Sequence, residues 1–215
     1  MSPAVPLLVK HLGRVDYEPT WRAMQAFTAS RSETTPDELW LVEHPPVYTL
    51  GLAGKPEHLI AETAVPVVKI DRGGQITYHG PGQAVVYLLV DIARRGIKVR
   101  GMVDLIEATL LDLLQEYGIA GALKDGAPGV YVDGAKIAAL GLKISRGCSY
   151  HGLALNVDLD LAAFAAINPC GYPGLASTRL ADFGVRDDVA AVHEKLAARL
   201  AAKLALATRP QAVAA

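Results

Sequence analysis

The sequence has few cysteines, which argues against a cysteine-based metal site, and no long apolar run, which argues against a transmembrane helix. Its 215 residues include two cysteines, Cys148 and Cys170, with neither a CxxC pair nor a Cys/His spacing typical of a zinc site. No wholly apolar run is longer than seven residues, the length of residues 84–90. A membrane-spanning helix needs about twenty. We therefore expect free thiols, no metal site and no transmembrane helix.

Neither sign of charge dominates, and this balance argues against a nucleic-acid binder. The chain has 21 Lys and Arg against 22 Asp and Glu, for a net charge of −1. Nucleic-acid binding proteins usually cluster positive charge on one face. The first six residues also lack the basic and apolar segments of a secretory signal. We expect a cytoplasmic protein with no nucleic-acid partner and no membrane partner.

Size and composition are those of an ordinary globular protein. Hydrophobic residues make up 51% of the chain and charged residues 20%, which argues against disorder. A chain of 215 residues is long enough to bury a sizeable core. We expect one catalytic domain over residues 1–215, with residues 207–215 as a frayed tail.

Short β-rich runs alternate with amphipathic segments along the chain. We predict strands at residues 7–12, 39–42, 47–50, 65–70, 84–92 and 150–157, helices at 17–31, 102–117, 160–167 and 187–204, and a hairpin at 130–140. The hairpin prediction depends on Asp133-Gly134, a dipeptide typical of two-residue turns. Consecutive strands mixed with helices predict an α/β (α+β) fold, with a mixed β-sheet flanked by helices rather than a doubly wound sheet.

Residues 72–83 contain four glycines and one proline among Arg, Thr, Tyr, His and Gln side chains, a composition that indicates a shaped loop. Glycine permits positive φ and lets a ligand approach the main chain, and proline stiffens one position. A phosphate-binding loop would lead into a helix, but the segment after Gln83 is β-like. We therefore interpret the loop as a wall that orients a carbonyl group and an acyl chain.

Cys170 is the candidate nucleophile, because it lies in a Pro-Cys-Gly run on a loop after a short predicted helix. A thiol needs a nearby base or cation to form a thiolate at neutral pH, and the candidates are Lys136, His79 and His151. The residues alone leave structural roles open for all four, as a buried thiol, a solvent-facing lysine and hydrogen-bonded histidines. We interpret Cys148 as a packing residue.

Five motifs resemble, in order and spacing, those of the lipoyl(octanoyl) transferase family. They are residues 43–51 (EHPPVYTLG), 72–83 (RGGQITYHGPGQ), 134–141 (GAKIAALG), 151–156 (HGLALN) and 168–171 (NPCG). The family is related in fold to lipoate-protein and biotin-protein ligases, so the resemblance implies that fold. A single short motif would be weak, whereas five in register are specific.

The resemblance also implies the site residues. Cys170 matches the family's acyl-accepting cysteine and Lys136 its partner lysine. Three segments correspond to those that line the acyl pocket in relatives. Their residues are Arg72, Gly73, Gly74, Gln75, Ile76, Thr77, Tyr78, His79, Ala139, Leu140, Gly141, Gly152, Leu153 and Ala154.

By the same resemblance, the reaction is a two-step octanoyl transfer that needs no cofactor. The octanoyl group comes from the phosphopantetheine arm of acyl carrier protein, forms a thioester with Cys170, and passes to a lysine of a lipoyl domain. The acceptors implied are the E2 subunits of 2-oxoacid dehydrogenases and the H protein of glycine cleavage. Because acyl carrier protein is acidic, the basic run at residues 94–100 is a candidate docking patch.

Three other functions remain open from the sequence. An ATP-dependent lipoate or biotin ligase would not need Cys170. A Cys-His hydrolase would use His79 or His151 and transfer the acyl group to water. A catalytically inactive module would bind lipoyl domains without forming an acyl-enzyme.

Overall fold

The computed structural model describes residues 6–168 and 174–207. Its nine strands in these ranges are β1 (Leu7–Arg14), β2 (Asp37–Glu43), β3 (Val47–Leu50), β4 (Val67–Lys69), β5 (Ile76–His79), β6 (Gln83–Leu89), β7 (Val130–Val132), β8 (Ala135–Ser145) and β9 (Cys148–Asn156). The α-helices are α1 (Tyr17–Ser30), α2 (Val99–Glu116) and α3 (Val189–Ala207). Residues 161–166, predicted as part of a short helix, form a 3-10 helix.

Six strands form the main sheet, in the order β1-β2-β6-β9-β8-β7. Only β1 and β2 pair in parallel, and the other neighbours are antiparallel. One face packs against α2 and α3 through a core that includes Met102, Ile106 and Leu196. The opposite face packs against α1 through Tyr17 and Met24. The predicted mixed sheet flanked by helices is confirmed.

A second sheet of three strands, in the order β4-β3-β5, lies outside the main sheet. Its strand β5 falls within residues 72–83, so the prediction of a continuous loop there was wrong. Four residues of this segment pair antiparallel with β3, from Val47 opposite His79 to Leu50 opposite Ile76. Glycine and proline on both sides of these residues concealed the short strand in the sequence. The pairing fixes the direction of the side chains of β5.

The longest hairpin joins β8 to β9 and was only partly predicted. Strand β8 continues to Ser145 and β9 starts at Cys148, beyond the predicted limits of 140 and 150. Arg146 and Gly147 both have positive φ, as a two-residue turn between twisted strands requires. The predicted Asp133-Gly134 turn between β7 and β8 has the same conformation, with φ of 49° and 81°.

The remaining boundaries differ from prediction by a few residues, as is usual at element ends. Helix α2 begins at Val99, three residues before the predicted start at 102. The prediction was late because the first turn contains Arg100 and Gly101 and therefore lacks a strong apolar signal. None of the helices in the described part of the chain combines the length and apolar character needed to cross a membrane. Cys170 and the tail from residue 208 lie outside the described residues.

Candidate active site

A pocket lies between the main sheet, the small sheet and α1. Its floor is formed by β6, β8 and β9. All but two of the residues predicted to bind the acyl group line it. The lining residues are Tyr17, Arg72, Gly74, Gln75, Ile76, Thr77, His79, Gln83, Val85, Tyr87, Lys136, Ala138, Ala139, Leu140, Gly141, His151, Gly152, Leu153, Ala154, Asn156, Phe164 and Ser177.

Gly73 and Tyr78 are the predicted residues that do not line the pocket. The Tyr78 ring packs against Tyr48 and Phe164 in a small core under the second sheet. Alternation along β5 turns Tyr78 away from the pocket and His79 towards it. The Gly73 amide donates a hydrogen bond to the Leu142 carbonyl at 3.0 Å, which ties the glycine-rich segment to β8.

Lys136 lies at the start of β8 and is only 5% exposed. Its Nζ donates a hydrogen bond to the Pro128 carbonyl at 2.9 Å and lies 5.3 Å from the centre of the Tyr131 ring. Lys136 is one of the residues that line the pocket, and its amine is held by the Pro128 carbonyl and the face of the Tyr131 ring. This burial excludes the solvent-facing lysine that the residues alone had left open.

The chain that follows the Cys170 segment pairs in parallel with the start of β8. The Lys136 amide donates to the Ala176 carbonyl at 2.8 Å, and the Thr178 amide donates to the Lys136 carbonyl at 3.0 Å. Phe164 and Ser177, on either side of residues 169–173 in sequence, both line the pocket. The chain therefore reaches the pocket lined by Lys136 both before and after the Cys170 segment.

His79 belongs to a chain of hydrogen bonds whose directions are fixed. The Asn156 amide nitrogen donates to the Thr178 carbonyl at 2.9 Å, so the Asn156 side-chain oxygen is an acceptor. It receives the Gln83 amide nitrogen at 3.0 Å, so the Gln83 oxygen must accept from His79 Nδ1 at 2.7 Å. His79 therefore carries its proton on Nδ1, which leaves Nε2 as an acceptor. Nε2 has no hydrogen-bond partner among residues 6–168 and 174–207.

Burial makes His79 a poor base. The ring is 7% exposed and stacks on Tyr17 at 5.6 Å between ring centres. Desolvation, aided by the neighbouring His44, lowers the pKa of His79 from 6.5 to about 3. The imidazole is consequently neutral at physiological pH and accepts a hydrogen bond without taking up the proton.

Asp71 is the centre of a second polar cluster beside the pocket. Its carboxylate accepts hydrogen bonds from Trp21 Nε1 at 2.8 Å, Gln25 Nε2 at 3.0 Å, His151 Nε2 at 2.9 Å and the Tyr150 hydroxyl. Burial acts to raise the pKa of Asp71, but these four hydrogen bonds together hold it well below its ordinary value. The ionised carboxylate ties α1 to β9.

His151 reaches this cluster through an unusual backbone conformation. Strict alternation would put Tyr150 and His151 on opposite faces of β9, but His151 has φ of 60° and its ring stacks on that of Tyr150 at 5.1 Å. A non-glycine residue in this region costs roughly 1–3 kcal/mol. Its buried Nδ1 has no hydrogen-bond partner in the part of the chain that the structure describes. Desolvation lowers the pKa of His151, opposed by the bond to Asp71.

Arg72 closes the end of the pocket distant from Lys136. Its guanidinium donates to the Thr49 carbonyl at 2.8 Å, the Thr49 hydroxyl at 2.9 Å and the Gly73 carbonyl at 2.9 Å. The stem of the side chain lies so close to Gly141 that a Cβ there would be 3.1 Å from Arg72 Cδ. Between Arg72 and Lys136 the floor is apolar, with Val85 and several alanines. The pocket can hold a short apolar chain with a reactive group at the Lys136 end.

The match between the chain and a known family covers residues 16–201, and the family is described as the lipoyl protein ligase A/B catalytic domain. The chain belongs to this family. The resemblance seen in the five sequence motifs is thereby confirmed.

Curated relatives in the family are octanoyltransferases. That of Azoarcus sp. strain BH72 is 70% identical over 194 residues, which cover 90% of this chain and 86% of the relative. That of Laribacter hongkongensis is 62% identical over 203 residues, covering 94% and 97%. The chain therefore matches these relatives over nearly their whole length.

Solved structures with the same fold are more distant in sequence. A bi-partite lipoate protein ligase from Thermoplasma acidophilum has a TM-score of 0.72 at 14% identity, covering 93% of this chain and 83% of that one. A biotin protein ligase from Aquifex aeolicus has a TM-score of 0.54 at 12% identity, covering 95% and 71%. These structures confirm the predicted lipoate and biotin protein ligase-like fold.

Several residues of the pocket and of the Asp71 cluster beside it were missed by sequence reasoning. Tyr17 and Tyr87 belong to ordinary helix and strand patterns, so nothing in the sequence separated them from core residues. Asn156 ends the fourth motif and Asp71 precedes the second, and this proximity was the only available signal. Among residues 6–168 and 174–207, no group of three or more His, Cys, Asp or Glu side chains could hold a metal ion.

The predicted docking patch at residues 94–100 is largely engaged within the protein. Arg94 and Arg95 donate to the fully buried carboxylate of Asp37 at 2.8 and 2.5 Å. Arg100 pairs with Asp104 on the next turn of α2. The sequence did not reveal this contact, because the acid lies 57 residues away from Arg94, and docking at residues 94–100 stays a prediction.

Proposed function

We propose that this protein transfers an octanoyl group to the lysine of a lipoyl domain through a thioester on Cys170, with Lys136 as the general acid and base. The observation that carries the proposal is the burial of Lys136 in the lining of a pocket with an apolar floor. Phe164 before the Cys170 segment and Ser177 after it line the same pocket.

Octanoyl transfer to protein is supported by the relatives, which are octanoyltransferases at 57–70% identity. The family is described as the lipoyl protein ligase A/B catalytic domain, which supports a protein as the acceptor, and we infer that a lysine amine receives the acyl group. We extend this to a specific donor and specific acceptors. The donor is octanoyl acyl carrier protein, and the acceptors are the E2 subunits of 2-oxoacid dehydrogenases and the glycine cleavage H protein.

The first step exchanges one thioester for another. Lys136 takes the proton of the Cys170 thiol, and the thiolate attacks the octanoyl carbonyl carbon. The bond from that carbon to the pantetheine sulfur breaks, and Lys136 returns the proton to the departing thiolate. Reactant and product are both thioesters, so the step needs no ATP.

The second step converts the thioester to an amide. The ε-amine of the acceptor lysine attacks the acyl-enzyme carbonyl, a C–N bond forms and the bond to Cys170 breaks. Lys136 accepts the proton from the amine and passes it to the Cys170 sulfur. Such proton transfer is typically worth about 10²–10⁴ in rate.

The apolar floor suits an eight-carbon acyl chain. Burial of seven carbons beyond the carbonyl, at about 0.8 kcal/mol per CH₂, offers roughly 5 kcal/mol of binding energy. The lining of Ala138, Ala139 and Ala154 leaves space for a chain over β8 and β9. The carbonyl then lies at the Lys136 end, and the methyl end points towards Gly141 and Arg72.

His79 is better suited to hold a substrate N–H than to act as the base. Its pKa of about 3 makes the imidazolium too acidic to form at neutral pH, and its tautomer presents an acceptor nitrogen. This property favours Lys136 over a Cys-His arrangement. It also argues against the hydrolase interpretation.

The base assignment is tested by replacing lysines of the same strand. We expect Lys136→Ala to lower octanoyl transfer from acyl carrier protein by about 10²–10⁴, measured as octanoyl amide formed on a lipoyl domain. Lys143→Ala, on β8 but not in the pocket lining, is the matched control and should retain most activity. Equal losses of transfer activity in the two variants would contradict the assignment of Lys136 as the general base.

The same assay separates this function from that of an ATP-dependent ligase. We expect full transfer from octanoyl acyl carrier protein without ATP, and no transfer from free octanoate with ATP. Activity that requires ATP and is retained by Cys170→Ser would instead establish the ligase function.

A further inference from the structure

One peptide group connects Lys136 to a buried acid on α2. The carbonyl of Pro128 accepts the hydrogen bond from Lys136 Nζ at 2.9 Å. The amide of Gly129, which belongs to the same peptide unit, donates to Glu107 Oε1 at 3.1 Å. A carboxylate and an amine therefore lie at opposite ends of a single peptide plane.

Glu107 is an unexpected residue on the buried face of α2. The residues around it on that face, Met102, Ile106 and Leu110, are wholly apolar and fully buried, and Glu107 itself is 5% exposed. Removing a carboxylate from water is costly unless it is compensated by hydrogen bonds. An apolar residue would serve helix packing better, so the acid indicates a role at the Gly129 amide.

The backbone at Gly129 is shaped around the lysine. Its φ of 132° lies in a region that other residues rarely adopt. A Cβ there would lie 2.5 Å from Lys136 Cε, 2.6 Å from the Ala138 carbonyl oxygen and 3.1 Å from Lys136 Nζ. No side chain fits at this position while Lys136 keeps its place. The peptide is therefore held close to the amine by conformation and by Glu107.

We propose that Glu107 is a positioning residue for Lys136 and acts through the Pro128–Gly129 peptide. Its carboxylate fixes the peptide plane by accepting the Gly129 N–H, and the fixed carbonyl then holds one N–H of the lysine amine. The nitrogen lone pair is oriented by this contact. An acceptor at the N–H end also polarises the peptide and strengthens the carbonyl as an acceptor.

This inference rests on the proposed role of Lys136 and predicts a specific dependence on the acceptor atom. Glu107→Gln keeps a side-chain oxygen for the Gly129 amide, and we expect its rate of acyl-enzyme formation to stay within about threefold of the wild type. Glu107→Leu removes the acceptor, frees the peptide and should lower that rate roughly 10- to 100-fold. The measurement is single-turnover acylation by octanoyl acyl carrier protein, followed by intact-protein mass.

A double-mutant cycle with Lys136→Ala separates positioning from a general effect on the fold. In the Lys136→Ala background, Glu107→Leu should change the acylation rate by less than about twofold, because the residue that it positions is already absent. If Glu107→Leu does not fold, Glu107→Asp, which withdraws the acceptor by one methylene, replaces it. Asp104→Asn, an exposed acid on the same helix, is the control and should behave as the wild type.

The outcomes distinguish this inference from the proposed function. A wild-type rate for Glu107→Leu, or the same loss with and without Lys136, would overturn the positioning role. A wild-type rate for Lys136→Ala would instead overturn the proposed function itself. A loss in Glu107→Leu that Glu107→Gln restores, and that disappears without Lys136, is the result we expect.

Discussion

Four buried histidines are kept neutral in the folded protein because burial disfavours their charged form. Desolvation lowers the pKa of His44, His79, His151 and His193 in the folded state. The unfolded chain takes up protons at these residues near pH 6.5, whereas the folded protein does so only at lower pH. The unfolded state thus binds more protons in this window, and stability must fall as the pH falls below about 6.5.

His79 makes a large contribution to this pH dependence, because its pKa in the folded state is about 3. When the pH falls from 6.5 to 5, a histidine that stays neutral only in the folded state lowers the free energy of unfolding by about 2 kcal/mol. We expect His79→Gln to reduce the difference in unfolding free energy between pH 7.5 and pH 5 by about this amount, measured by urea denaturation. The low pKa of Asp71 affects stability only below this window. If the variant shows the same difference in unfolding free energy between pH 7.5 and pH 5 as the wild type, the claim that His79 is neutral in the folded protein is wrong.

At this scale the sequence identified some residues and not others, for a physical reason. The roles of Lys136 and His79 could be proposed because each lies in a distinctive local motif. Asp71 could not, because its partners Trp21 and Tyr150 come from a helix and a strand that are 50 and 79 residues away. The positive φ of His151 is equally invisible to an alternating strand pattern.

At the scale of elements, the glycines of β8 and β9 set the shape of the pocket. Gly141 lies five residues beyond Lys136 on β8, roughly 16 Å along the strand at about 3.3 Å per residue. A Cβ at Gly141 would be 3.0 Å from the Gly73 carbonyl and 3.1 Å from Arg72 Cδ. A methyl group there would shorten the end of the pocket that receives the tail of the acyl chain.

We therefore expect Gly141→Ala to shift chain-length preference. Loss of one buried methylene is worth about 0.8 kcal/mol, so the ratio of octanoyl to hexanoyl transfer should fall about fourfold. The measurement is competition between the two acyl carrier proteins. Gly101→Ala, on α2 where a Cβ would make only an ordinary contact with Ile97, is the control. An unchanged ratio in Gly141→Ala would place the acyl tail elsewhere.

The elements themselves were predictable where composition and periodicity agreed. The apolar stripes of α2 and α3 and the Asp133-Gly134 turn gave the right element at nearly the right place. Strand β5 was missed because four residues between glycines are too few to show alternation. The β8–β9 hairpin was cut short because Arg146-Gly147 is not a common turn dipeptide.

At the scale of the whole molecule, a buried ionic cluster joins distant parts of the chain. Asp37 on β2 is fully buried and accepts from Arg31 after α1 and from Arg94 and Arg95 after β6. Arg95 also donates to the Leu204 carbonyl in α3 at 3.1 Å. These arginines stabilise the fold, so removing them tests stability and not partner binding.

Arg95→Met should lower the unfolding free energy by roughly 1–3 kcal/mol, because it removes a charged hydrogen bond from the buried Asp37. Arg100→Met, whose side chain is 76% exposed, should change it by less than about 0.5 kcal/mol. Urea denaturation of both variants gives the comparison. Equal stability of the two variants would contradict a structural role for Arg95.

The overall fold class followed from the order of strands and helices, and the fold family from the five motifs. The second sheet and the Asp37 cluster did not, since both depend on pairings between segments that only the folded chain brings together. Single catalytic-domain organisation over residues 1–215 and a cytoplasmic location stay predictions. Docking of acyl carrier protein on the remaining charges of the basic run, Lys98 and Arg100, also stays a prediction.

The central claim is that the acyl group passes through one sulfur atom. Mixing the protein with octanoyl acyl carrier protein and measuring the intact mass should show a single octanoyl adduct that hydroxylamine removes. Peptide mapping should locate the adduct on Cys170, and Cys170→Ser should not form it. An adduct on Cys148, or full transfer to a lipoyl domain by Cys170→Ser, would contradict the account.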